Sequence, residues 1–89
     1  MKDLIGKMVL IRTVTMYHIG VLNRIEPDVF VLTGAVWVAN TGRFSEALST
    51  GRCSEVEAFP IDDRVYVSRL ALVDVVEWHH ALPVSGSGS

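Results

Sequence analysis

Two β-rich blocks, residues 17–35 and 65–78, limit what this chain can fold into more than any other feature. In the first, Tyr17-His18-Ile19-Gly20-Val21-Leu22-Asn23-Arg24-Ile25-Glu26 runs into Pro27-Asp28 and resumes as Val29-Phe30-Val31-Leu32. Two β-prone runs joined by a Pro-Asp break predict a bent hairpin. Gly20 falls inside the first run, where a residue without a Cβ permits sharp curvature or close backbone approach. The second block holds two short strands with no Gly or Pro between them, so polar Ser68 and Arg69 mark the bend.

The remainder fills in around these blocks. Asp3 is placed to cap a single helical turn that Gly6 ends. A β-branched run begins at Lys7, with Met8, Val9, Leu10, Ile11, Thr13 and Val14, and breaks at Thr15-Met16. Residues 29–39 are apolar enough on both faces for a strand covered on two sides, closed by Asn40-Thr41-Gly42. The period then changes: Phe44 and Leu48 are four apart and Gly51 stands where a C-terminal cap belongs, which predicts a short helix. From Arg52 to Phe59 the alternation returns, with Val56 and Ala58 on one face and Glu55 and Glu57 on the wet one, and 60–64 is a turn.

The expected architecture is therefore all-β: a single domain over residues 1–84, an antiparallel meander of about five strands, a short N-terminal helical turn, and an inserted helical turn with a hairpin. Residues 85–89, Ser-Gly-Ser-Gly-Ser, read as a flexible appended linker and carry no fold information.

An 89-residue chain is 49% hydrophobic and 20% charged, yet a domain of this size buries only about 60% of its unfolded surface. Some apolar surface must find a partner. The terminal pair of strands presents apolar edges, which aggregate unless covered, and a head-to-tail ring of copies covers them. Val65, Val67, Val73, Val75 and Trp78 are the candidate subunit-interface residues. Trp37 and Trp78 read as core or interface anchors rather than stacking platforms.

Several functions are excluded by composition. No run is long and apolar enough to cross a bilayer and the N-terminus is too short and mixed for a signal peptide, so a soluble, cytoplasmic protein is expected, with no membrane partner. The single Cys53 permits no intrachain disulfide and no zinc ribbon. His79-His80 are strand neighbours that point to opposite faces, so with Glu77 and His18 they make no chelate, and no metal is expected. Asp62-Asp63 is a turn signal before it is a catalytic dyad. There is no phosphate loop and no nucleophile elbow, so the chain reads as a non-enzyme with no cofactor and no small-molecule substrate. Net charge is −2, yet six of the eight basic residues are arginine, the side chain suited to phosphate forks and base stacking.

These blocks resemble the Sm and Sm-like family, which includes the bacterial RNA chaperone Hfq. The first Sm motif has a glycine, an aliphatic residue two later, and a hydrophobic-acidic pair, matched here by Gly20, Leu22, Ile25 and Glu26. The second motif, as in the Hfq branch, begins with Val65-Tyr66 and continues through Leu70, Val73 and Val75. The insert, with Gly42-Arg43-Phe44-Ser45-Glu46-Ala47-Leu48 and Glu55-Val56-Glu57, looks like small Sm-like proteins of tailed phages that infect cyanobacteria. The resemblance extends from Asp3 to Trp78. It implies a strongly bent, SH3-like barrel of about five strands, assembled as a cyclic homo-oligomer of about five to seven copies, in a bacterial or phage-infected cell.

The same resemblance implies single-stranded RNA held near the pore by the loops after the second strand and before the last. Phe30, Tyr66, Ser68 and Arg69 are the candidate RNA-binding residues, because aromatic stacking and arginine contacts hold single strands. The chain departs from the family at these loops: Val29-Phe30-Val31 stands where an asparagine is usual, Ser68-Arg69 replaces Arg-Gly, and Val67-Ser68 replaces the Lys-His of Hfq. A structural or adaptor ring without RNA, for instance in phage assembly, is the rival reading. A third is a monomeric SH3-like adaptor that recruits a peptide along an open edge.

Overall fold

The computed structural model describes residues 1–14, 16–60 and 62–83. Thr15, Ile61, Val84 and the Gly/Ser tail lie outside the described residues. A short 3-10 turn (Lys2–Leu4) precedes β1 (Met8–Thr13), β2 (Tyr17–Ile25), β3 (Val29–Asn40), α1 (Phe44–Thr50), β4 (Glu55–Ala58), β5 (Arg64–Ser68), a second 3-10 turn (Arg69–Ala71) and β6 (Leu72–Glu77). Met1, not Asp3, occupies the cap position of the first turn, and its side chain makes no capping bond. No helix among the described residues is long and apolar enough to cross a membrane.

All pairings are antiparallel and form one open, six-stranded sheet in the order β4-β3-β2-β1-β6, with β5 also on β3. β3 makes this possible by serving two partners along one edge. Its first half takes β5, from Val29↔Ser68 to Thr33↔Arg64, and its second half takes β4, from Val36↔Ala58 to Asn40↔Glu55. The sixth strand is thus the insert's own, paired to an extension of β3.

The sheet bends where β3 carries one residue more than β2. Ile19 pairs with Val36 and Val21 with Thr33, leaving Gly34 and Ala35 opposite Gly20. Gly34 adopts φ +55, the left-handed conformation that lets a bulge kink its strand. A Cβ on Gly20 would sit 2.8 Å from the Ala35 Cβ and 3.0 Å from its Cα, so the two strands meet backbone to backbone at the bend.

The sheet buries both faces. Val9, Ile11, Leu22, Phe30, Leu32, Ala35 and Val67 form one core inside the bend. On the other face Leu10, Ile19, Val36, Val38, Ala47, Cys53, Val56 and Trp78 form a second, roofed by α1 and the segment after β6. Strict alternation in β1 feeds both cores, Val9 and Ile11 to one and Leu10 to the other. Ala47 of α1 faces this second core, and the helix ends at Gly51, φ 79, whose N–H donates to Ala47 O. Trp78 completes this core, its indole N–H donating to Ala81 O at 3.0 Å.

Candidate nucleic-acid interface

The turn between β2 and β3 and the turn between β5 and β6 lie side by side, because β5 pairs with the start of β3. Arg69 locks them together. Its main-chain N–H donates to Asp28 O at 2.8 Å and its Nη1 donates to Glu26 O at 2.8 Å. Ser68 caps the second turn, its Oγ accepting from Leu70 N at 3.2 Å. The sequence predicts a bend at Ser68-Arg69, and these bonds are what make it.

The four candidate RNA contacts separate here. Phe30 is fully buried in the inner core, and the Arg69 guanidinium carbon lies 5.2 Å from its ring centroid. Its stacking surface is therefore spent on the core and on a cation–π contact, and the expectation that it stacks on a base is corrected. Tyr66 does the reverse. Val65 and Val67 turn inward, so Tyr66 and Ser68 stand on the outer face of β5, and Tyr66 is 55% exposed.

Register adds two residues that the sequence reading left out. Arg24, Val31 and Tyr66 are successive cross-strand partners and stand in one row on the outer face. Glu26 first, and Tyr66 after it, favour the charged guanidinium of Arg24, whose Nε donates to Glu26 Oε2 at 2.5 Å. Arg64 is exposed on the same face as Tyr66 and makes no ion pair among the described residues. The spacing Arg64-x-Tyr66-x-Ser68 was legible as one strand face. Arg24 was not, because only the β2–β3 offset after Asn23 brings it opposite Val31.

An exposed aromatic flanked by arginines is suited to holding a base and its phosphates. The carboxylate of Glu26, already paired with Arg24, and the nearby Asp28 limit how much positive charge this end presents.

The interface candidates divide in the same way. Val67 and Trp78 are each only 4% exposed and pack into their own subunit's two cores, which corrects the expectation that they face a neighbour. Val65 and Val75 are half-buried at the rim of the inner core. Val73 is 54% exposed, because β6 bulges there: Arg12 pairs with Asp74 and Thr13 with Leu72. Leu70, 96% exposed, stands close by in sequence on the second 3-10 turn.

Among the described residues, main-chain groups remain free at both β5 and β6. Trp78 N donates to Met8 O, which fixes the alternation in β6 and turns the peptide groups of Val75 and Glu77 outward. Arg69 N donating to Asp28 O likewise turns those of Tyr66 and Ser68 away from β3. No protein-family model, curated protein or solved structure matches the chain.

Proposed function

We propose that this protein is a non-enzymatic, Sm-like small barrel that assembles edge to edge as a homo-oligomeric ring and binds single-stranded RNA. The observation that carries the reading is the pair of free edges. β5 and β6 each offer outward peptide groups on one side, and exposed Leu70 and Val73 lie where the two strands join. Pairing the β5 edge of one copy with the β6 edge of the next satisfies both and covers those side chains. Such closure repeats the Tyr66–Arg69 end once per subunit, and repetition focuses a positive field that one acidic chain lacks.

A specific observation favours the rival, a ring that serves as a structural or adaptor component. Arg24 is ion-paired with the Glu26 carboxylate, and Arg69 spends a hydrogen bond on the main-chain carbonyl of the same residue, so part of the positive charge and of the arginine donors is committed within the subunit. Native mass spectrometry of protein purified without nuclease separates the readings. RNA binding expects a ring whose extra mass ribonuclease removes; a ring of bare integer mass supports the structural role, and a bare monomer overturns assembly altogether. Affinity for a labelled oligouridylate should also fall steeply with salt and fall further on Arg69→Ala, as counterion release requires.

A further inference from the structure

A third free edge lies on the insert, beside the second half of β3 rather than the first. β4 pairs only with β3 among the described residues. Phe59 N donates to Ala35 O at 3.1 Å, and bonds in an antiparallel ladder fall on alternate pairs. Glu57 therefore bonds inward to Trp37, its register partner, while the N–H and C=O groups of Val56 and Ala58 point outward.

Beside this edge lies an open groove of about 420 Å³ lined by Trp37, Glu57, Ala58, Phe59 and Pro60. Trp37 and Glu57 share a sheet face because they are cross-strand partners. The Phe59 ring is held flat against His18, centroids 6.2 Å apart and planes 16° from parallel. Burial of the imidazole is incomplete in its bonding: His18 Nδ1 has no partner among the described residues. The groove thus has rigid aromatic walls and a carboxylate at its rim.

Charge identifies the occupant. Residues 53–63 hold Glu55, Glu57, Asp62 and Asp63 and no basic residue, and neither Glu55 nor Glu57 has an ion-pair partner among the described residues. A phosphate backbone is repelled from such an edge. The chain's other free edges complement it poorly, since β6 carries Asp74 and Glu77 and β5 a single Arg64.

We propose that the β4 edge docks an extended, arginine- or lysine-bearing peptide segment of another protein. Its main chain pairs with Val56 and Ala58, and its basic side chain lies between the Glu57 carboxylate and the Trp37 ring. Main-chain bonds supply the affinity of this strand addition, and the ion pair with its cation–π contact supplies the selectivity. Neither ring closure nor RNA binding is required, so the proposal stands or falls apart from them.

The test is fluorescence anisotropy of two short labelled peptides, one alternating arginine with valine and one alternating glutamate with valine, titrated with the full chain. The arginine peptide binds saturably and the glutamate peptide does not. Glu57→Lys weakens binding at least about tenfold, the loss of one charge-assisted hydrogen bond. Ala58→Pro does the same by removing an outward N–H that β3 does not use, a position where an edge strand tolerates proline. Thermal melting confirms that each variant is folded, and either alone suffices if the other is not. Equal binding of both peptides, no binding of the arginine peptide, or wild-type affinity in a folded variant overturns the proposal. So does loss of oligomer mass in Ala58→Pro, which would assign the edge to a second copy.

Discussion

Replacing Gly20 by alanine tests the bend on which the whole arrangement rests. The new methyl would lie 2.8 Å from Ala35 Cβ, 3.0 Å from Ala35 Cα and 3.2 Å from Thr33 O. Two of these three atoms are main chain, at a bulge whose residues are fixed by pairing on both sides, so no flexible side chain can yield. Overpacking of this kind costs about 1–3 kcal/mol, and the lost freedom of glycine in the unfolded chain returns about 0.4–1. The net loss is about 1.5 kcal/mol, or a fall in Tm of roughly 6–12 °C for a domain of this length. Calorimetry of Gly20→Ala, Ala35→Gly and the double variant reads this directly. Because the closest clash is between the two β-carbons, the double variant should melt higher than the two single losses added together predict. A Gly20→Ala protein that melts at or above the wild type, or a strictly additive cycle, would refute the close approach.

Three further outcomes follow from side-chain placement. Phe30→Ala should cost about 3–5 kcal/mol by opening a cavity in the inner core, whereas exposed Tyr66→Ala should leave Tm nearly unchanged and weaken oligouridylate binding about tenfold; chemical denaturation and anisotropy check the pair. Burial holds the His18 imidazole below its ordinary value of 6.5, so the unfolded chain takes up the proton first. Stability is then intact above about pH 6.5 and declines as pH falls toward the lowered value, and His18→Phe should flatten Tm against pH between about pH 7.5 and 5.5. Gly51→Ala places a methyl 2.6 Å from His80 Cβ in a left-handed conformation, so it should lower Tm and disturb the bond of 2.7 Å between His80 Nε2 and Leu48 O. Histidine chemical shifts in NMR spectra, compared with those of the wild type, report that displacement.

Much of the local structure was legible because its signals are short-range. The Pro27-Asp28 break, the bend at Ser68-Arg69, the helical period of Phe44 and Leu48, and the Gly51 cap are each set by residues within a few positions of one another, and each element is found within a few residues of its expected bounds. What pattern could not supply was which face of a strand is covered when both are. Phe30 sits in a run apolar on either side, and Val67 on a clean apolar face, yet neither pattern said whether the residue faces its own core, a neighbour or a ligand. Trp78 was readable as an anchor, but the segment that receives its indole, at Ala81, is irregular and carries no periodic signal. Arg24 needed the bulge offset, which depends on how two strands slip past each other rather than on either strand alone.

The double duty of β3 has a consequence for how the molecule opens. Its first half belongs to a layer closed by β5 and the inner core, its second to a layer closed by β4, α1 and the second core, and the two are joined by one continuous backbone, by β1 and β2, and by Phe59, which packs from the insert against the inner core. Such an arrangement separates into two cooperative units of unequal strength. The insert can detach, exposing the amide of Trp37, which bonds to β4, while those of Phe30 and Leu32, which bond to β5, remain protected until the chain unfolds as a whole. A partner that stiffens the insert therefore slows exchange in one half of a single strand and leaves the other half at its own pace.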